Sequence, residues 1–490
     1  MQALKHPLMI VGTGSDVGKS VLATGFCRIF LQDGYRPVPF KAQNMSLNSY
    51  VTADGGEIGR AQAVQAEACR VECHTDMNPV LLKPGSDKRS QVIVNGKVLG
   101  NFSAGSYFRG EIKDRLFAEV MSAFERLQKQ YNPVVIEGAG SIAELNLKNN
   151  DIVNMRVATA VKAATILVAD IERGGVFASV YGSVKLLKPE EQKRIKGIII
   201  NKFRGDISLF DEGRKILEEL TGIPVLGVVP AFRHIQIEEE DSVSLARKAF
   251  SARENKVNVA VIFLRRLSNF TDFARLEQDE RVNLYYTNNV EEIRKADIII
   301  LPGSKSTIAD LDELRRNGVA DEIVRQARDG KTIVGICGGF QMMGRYIRDP
   351  QHIEGDLEKL PGLNLLPVET VIGTEKSTVR TSFRYKHFGQ ICQGYEIHMG
   401  QTHFNAGAKP LNRTVAGGNE GCLVNDKIWG TYLHGILDNP VVIEDLLSPF
   451  VSEISRVKSY DAFKQEQYDM LADHLRRHVD INSIYKIMAE

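Results

Sequence analysis

The stretch Ile333–Gly344 reads IVGICGGFQMMG: an apolar run, then Cys337, then two glycines. A nucleophile held on a sharp strand-to-helix turn needs small neighbours of this kind. The backbone N–H groups that follow, from Gly338 onward, would face a developing oxyanion. A buried, inert cysteine is the commoner fate of this side chain, so Cys337 needs a base before it counts as a nucleophile. His434, in GTYLHGIL, closes another apolar run far along the chain. That separation is what a cysteine–histidine pair assembled by the fold requires. Gly303, in ILPGSKS, marks another glycine turn after an apolar run and is a candidate oxyanion or substrate donor.

A second constellation lies near the N-terminus, in IVGTGSDVGKS. An apolar run enters a glycine loop that opens an amphipathic segment, which is the context of a phosphate-binding loop. Gly12, Thr13, Gly14, Ser15, Asp16, Val17 and Gly18 would wrap the phosphates, Lys19 would reach the terminal ones, and Ser20 would ligate Mg²⁺. Five residues rather than the usual four separate Gly12 from Gly18. Two carboxylates are candidates for the same metal: Glu137 at the end of VVIE and Asp54 in TADGGEIGR. Glu137 is the stronger, because a carboxylate closing so apolar a strand needs a counter-ion. Asn201, after KGIII, stands where a purine-reading side chain could project.

The elements that must position these groups follow from hydrophobic patterning. LMIVG, VVIE, ATILVAD, KGIIINKF and IPVLGVVP are β-branched runs with helical patterns between them. They predict buried parallel strands in a doubly wound α/β sheet, with ligands at the carboxyl ends of the strands. The charged stretch QIEEEDSVSLARKAFSAREN lacks any strand pattern, and 236–256 is expected to be a linker. A second series then begins with VNVAVIFL, ADIIILPGS, TIVGICGG and KIWGTYLHG. The expected organisation is therefore a nucleotide-binding domain over 1–235 and a second α/β domain over 257–442. A helical segment over 443–490 is expected to pack on the second domain.

At 490 residues the chain exceeds one ordinary core. Its formal net charge of +1 gives no electrostatic reason to expect a nucleic-acid or membrane partner. The six cysteines are too sparse for a disulfide framework and suit a reducing compartment. Cys69 and Cys73 fall at helical i, i+4 spacing beside His74, and a packed helix explains them better than a metal site. No signal-peptide pattern or long apolar run is present, so the cytoplasm is the expected location. A homo-oligomer is left open.

The first half resembles the dethiobiotin-synthetase-like ATP-binding domains, through GTGSDVGKS, EGAG and the NK after a late strand. That resemblance implies phosphorylation of a substrate carboxylate and an acyl-phosphate intermediate. The order glycine turn, cysteine elbow, distant histidine resembles the class I glutamine amidotransferase domain and implies glutamine as ammonia donor. That family usually carries a Glu two residues after the histidine, where this chain has Ile436. The strings FKAQNMSLNSYVT, MNPVLLKPGSD, DIERGGVFASVYGS, NKFRGD and GYEIHMGQT resemble the corrinoid amide synthases over nearly the whole chain. The resemblance implies a corrinoid substrate already carrying two amides, whose b, d, e and g carboxylates are amidated with ATP and glutamine. Within those strings Lys41, Gln43, Asn44, Asp170 and Arg173 are acceptor-site candidates. The nearest alternative is the a,c-diamide synthase acting one stage earlier. A P-loop regulatory ATPase with an inert second domain is a further alternative. Such ATPases carry an early loop lysine that GTGSD lacks.

Overall fold

The computed structural model describes residues 3–86, 89–108, 112–232, 234–238, 251–451 and 459–490. In the first domain the glycine loop separates β1 (Leu8–Gly12) from α1 (Lys19–Gln32), and β2 (Val38–Phe40) and α2 (Arg60–Ala68) follow. Then come β3 (Val134–Glu137), β4 (Ala164–Asp170), β5 (Ile195–Phe203) and β6 (Val225–Pro230). These strands form one sheet in the order β6-β5-β4-β1-β3-β2, every pairing parallel. All positions of β1, β3 and β4 are buried, as expected of strands covered on both faces.

The second domain contains β7 (Val257–Ile262), β8 (Val282–Thr287), β9 (Ile298–Leu301), β10 (Thr332–Ile336) and the short helix α3 (Gly338–Met343). A long antiparallel hairpin, β11 (Val368–Tyr385) and β12 (Ile391–Phe404), precedes β13 (Cys422–Asn425) and β14 (Ile428–Thr431). The central sheet runs β8-β7-β9-β10-β14-β13 and is parallel except for its β13 edge. The fold is thus two doubly wound α/β units, and the glycine loop, Glu137 and Cys337 sit at carboxyl ends of parallel strands.

Of the expected linker, residues 239–250 lie outside the described residues. Its beginning is not a solvated tether. Glu238 is buried in an ion pair with Arg60 (2.6 Å) and accepts a hydrogen bond from Tyr460 (2.9 Å).

The expected packing of 443–490 needs correction. Among the described residues of this segment, α4 (Pro440–Leu447) adds to the core of the second domain through Val442, Ile443, Leu446 and Leu447, and Val451 packs against it. The last two helices, α5 (Tyr460–His478) and α6 (Ile481–Ala489), return to the first domain. Tyr468, Leu471, Leu475, Ile484 and Met488 share one buried cluster with Leu8, Phe26 and Phe30. The cause is complementarity with α1. A Cβ on Gly25 would come within 2.3 Å of Leu475, so the glycine lets the two helices approach closely. Arg28, 2% exposed, gives both its Nε and Nη2 to Asp469 at 2.7 and 2.9 Å. The N–H groups of Lys5 and His6 both donate to the Met488 carbonyl, so the two ends of the chain meet.

A second correction concerns the cysteines. The helix α2 ends at Ala68, and Arg70 takes a left-handed φ of 55°. Cys73 therefore lies beyond the helix, and the i, i+4 geometry with Cys69 does not form.

Leu475→Ala is expected to cost about 2–5 kcal/mol, because it leaves a cavity in a fully buried site. Denaturant unfolding measures this. A change within about 0.5 kcal/mol would mean that α5 does not complete the core of the first domain.

Candidate active site

The glycine loop runs from the end of β1 to the start of α1. Gly12 has no room for a side chain: a Cβ there would lie 2.8 Å from Val17 and 3.0 Å from the Lys19 ammonium. Gly18 has φ 98° and caps α1, so the loop turns directly onto the helix N-terminus. Lys19 Nζ bridges the Gly14 and Gly140 carbonyls at 2.8 and 3.0 Å. Ser20 Oγ donates to Glu137 Oε1 at 2.8 Å.

Glu137 is 1% exposed. Burial alone would raise its pKa, but the Lys41 ammonium at 2.8 Å and hydrogen bonds from Gln65 and Ser20 bring it below the usual carboxylate range. It therefore stays ionised inside the protein. A cavity of about 600 Å³ opens here, lined by Ser15, Asp16, Gly18, Lys19 and Ser20 of the loop, by Glu137, and by Lys41, Gln43 and Asn44. That is the size of a nucleotide or small-molecule site. Gln43 Oε1 accepts from Tyr107 Oη (2.5 Å) and Lys113 Nζ (3.2 Å). Burial lowers the Lys113 ammonium to about 8.

Four candidates of this half sit elsewhere. Asp54 does not join Ser20 and Glu137. It lies half-exposed in the turn of the Ser49–Gly59 hairpin, accepting from Thr52 Oγ1 and 3.8 Å from His74. Its loop is short and polar, and the hairpin carries it off the sheet end. Asn201 holds the loop from behind. Its Nδ2 donates to the Val17 carbonyl at 2.8 Å and lies 2.1 Å from where a Cβ on Gly18 would be, so it braces the glycine loop, and it is not part of the cavity wall. Asp170 and Arg173 are also absent from the cavity wall. Asp170 pairs with Lys202 (2.9 Å), and Arg173 reaches Asp16 (3.1 Å), bracing the outer side of the loop.

In the second domain Cys337 follows directly on β10, with φ 52° and ψ −109°, and caps α3. A left-handed cysteine is strained, and such strain collects at functional positions. The turn exists because its neighbours are glycines. A Cβ on Gly339 would strike the Leu301 carbonyl at 1.9 Å, and one on Gly338 would meet the Ser304 nitrogen at 2.8 Å. Gly303 lies against the site as well, its Cβ position 3.4 Å from His434 Cε1. Cys337 Sγ contacts the Ile397 carbonyl at 3.6 Å.

His434 is 2% exposed, and its ring reaches the Cys337 thiol. Its Nδ1 lies 2.7 Å from Asp272 Oδ2, while the Gly435 N–H donates to Asp272 Oδ1 at 2.9 Å. Burial alone would lower the pKa of His434, but Asp272 and then Cys337 raise it to about 10. The acid that holds the His434 ring is therefore not two residues after it, where Ile436 stands. It comes from a short 3-10 helix, Phe270–Phe273. Sequence reasoning missed Asp272. Its one signal was a carboxylate enclosed by aromatics in NFTDF, which needs a partner if buried.

Family models cover both halves: a CobQ/CobB/MinD/ParA nucleotide binding domain over residues 8–244 and a CobB/CobQ-like glutamine amidotransferase domain over 258–442. A cobyric acid synthase of Bacteroides fragilis is 60% identical over 99% of this chain and 99% of its own. Those of Phocaeicola vulgatus and Syntrophobacter fumaroxidans are 59% and 48% identical, each over 99% of this chain and 98% of their own. The chain belongs to the cobyric acid synthase family. As a cobyric acid synthase family member it is an ATP-dependent, glutamine-hydrolysing amide ligase, and its chemistry is glutamine-dependent amidation in cobalamin biosynthesis. Among the described residues no helix is long and apolar enough to cross a membrane.

Asp272→Asn is expected to lower kcat for glutamine hydrolysis roughly 10³–10⁴-fold. The groups facing His434 are Asp272, the Cys337 thiol and the Tyr395 ring. Removing the anion removes what favours the imidazolium, so the alkaline limb of the pH–rate profile should move to lower pH. An unmoved limb would exclude Asp272 as the cause of the raised pKa.

Proposed function

We propose that this enzyme converts (adenosyl)cobyrinic acid a,c-diamide to cobyric acid by amidating the b, d, e and g side-chain carboxylates. One observation carries the reading: a buried Cys337–His434–Asp272 array and a phosphate cavity backed by Lys19, Lys41 and Glu137 occur in one chain. The named relatives are cobyric acid synthases, and two complete sites speak against an inert second domain.

At the first site Cys337 Sγ attacks the side-chain amide carbon of glutamine. The oxyanion is taken by N–H groups around Gly338 and the Gly303 turn, and His434 gives its proton to the departing ammonia. Water, deprotonated by His434, then releases glutamate from the thioester. Asp272 keeps the imidazole in register throughout.

At the second site the loop N–H groups hold the ATP phosphates, and Lys19 offsets their charge. The γ-phosphoryl group passes to an acceptor carboxylate. Ammonia attacks the resulting acyl phosphate, forming the amide and expelling phosphate. Lys41, Gln43 and Asn44 line the same cavity and are the remaining candidates for the acceptor side. Ser20 and Glu137 fit Mg²⁺: an all-oxygen pair beside the phosphate loop, where the ion needs only one or two carboxylates besides phosphates and water. When bound it would neutralise charge on the transferring phosphoryl group.

The test is purified protein with ATP, Mg²⁺, glutamine and the corrinoid a,c-diamide, followed by mass spectrometry. Each amidation should lower the mass by about a dalton. Glutamate release with an unchanged corrinoid would overturn the substrate assignment. Cys337→Ala should lose glutamine-supported amidation and keep the ammonium-supported reaction. Glu137→Gln should show the reverse, losing amidation while still hydrolysing glutamine.

A further inference from the structure

The helix that carries Asp272 is held by the other domain. The Phe270 N–H donates to Asn48 Oδ1 at 3.0 Å. One residue earlier, Asn269 takes a left-handed φ of 52° and turns its side-chain amide onto Ser49. Asn269 Oδ1 accepts from the Ser49 N–H at 3.1 Å, and its Nδ2 donates to the Ser49 carbonyl at 3.3 Å. The Asn269 carbonyl in turn accepts from the Asp272 N–H at 3.0 Å. Tyr395 completes the frame. It exchanges two backbone hydrogen bonds with His434, lays its ring over the imidazole at 5.4 Å, and extends its hydroxyl to within 3.4 Å of the Ser49 carbonyl.

Asn48, Ser49, Asn269, Asp272 and His434 are each 3% exposed or less. A buried polar contact of this kind fixes geometry, because an unmade hydrogen bond there has no water to replace it. Asn48 itself is fixed on its own domain: its N–H donates to Ser46 Oγ (2.9 Å) and its carbonyl accepts from the Arg60 N–H (3.0 Å).

We propose that Asn48, a residue of the ATP-binding domain, is a positioning residue for glutamine hydrolysis, setting the place of Asp272 and through it the orientation of His434. Asn48 touches neither glutamine nor the reacting atoms. It lies three residues beyond the end of the strand Gln43–Met45, whose residues line the nucleotide cavity. The segment from Lys41 to Ser49 therefore joins the wall of one site to the frame of the other.

The inference rests on the proposed triad, and the test separates the two. Glutamate release from glutamine is measured for the parent enzyme, Asn48→Ala, Asp272→Ala and the double variant. Displacement of a catalytic group by about an ångström costs on the order of 100-fold in rate. Asn48→Ala should accordingly lower kcat about 10- to 100-fold with KM for glutamine nearly unchanged. Added to Asp272→Ala, it should cost little more, since both act through one group. Ammonium-supported amidation by Asn48→Ala reports whether the fold is intact. Full additivity in the double variant overturns the inference, as does a rise in KM without loss of kcat. Equal loss of the glutamine- and ammonium-supported reactions also overturns it, by making the contact a general support. An Asp272→Ala variant with undiminished hydrolysis would instead refute the triad itself.

Discussion

The contact between Asp272 and His434 is the constraint to which the rest of the second site answers. An imidazole sealed from water would lose its proton unless an anion lay against it. The anion is equally out of place in a core without its cation. Each makes the other tolerable, and the pair fixes which ring nitrogen faces the thiol. Everything that fixes Asp272 thereby fixes the ring that faces Cys337, and the scaffold doing so is drawn from both domains.

The junction between those domains sets buried ion pairs beside a small apolar cluster of Val51, Tyr395 and Ile397. Glu57 is 1% exposed and lies among Lys83 (2.6 Å), Lys376 and Ser49 (2.7 Å). Burial opposes its charge, but the Lys376 and Lys83 ammonium groups outweigh this and keep it ionised. One glutamate cannot equally support several cations. Burial and the neighbouring Lys83 and Lys305 lower Lys376 to about 7, against the attraction of Glu57. An interface of this kind specifies one docking geometry more than it adds stability, because a shifted arrangement would strand a buried charge.

The sequence displayed what local patterning can encode. The β-branched runs became the parallel strands, the glycine loop led into α1, and the two glycines after Cys337 proved to be a steric demand of the turn. What it hid were relations set by tertiary packing. Asp272 lies in a four-residue 3-10 helix, too short to show any periodicity of its own. Asn201 has the residue type of a base reader but packs behind the loop, and Asp170 and Arg173 pair with loop-side partners that no spacing reveals. The apolar stripe of α5 says that the helix is buried, but not against which domain. Only the room at Gly25 and the placing of Arg28 decide that.

That last placement governs the order in which the molecule can be made. The cluster that seats β1 and α1 includes Leu475, Ile484 and Met488, all of which are synthesised after the whole of the second domain. The second domain lies wholly between the two parts of the first and has its own core, so it can fold while the first still waits for its closing helices. During synthesis the ATP-binding half would thus stay open, with the apolar face of α1 uncovered until α5 and α6 emerge. A glutaminase could be shaped before the site that consumes its ammonia exists. The contacts from Asn48 and Ser49 would then form only when the whole chain has closed.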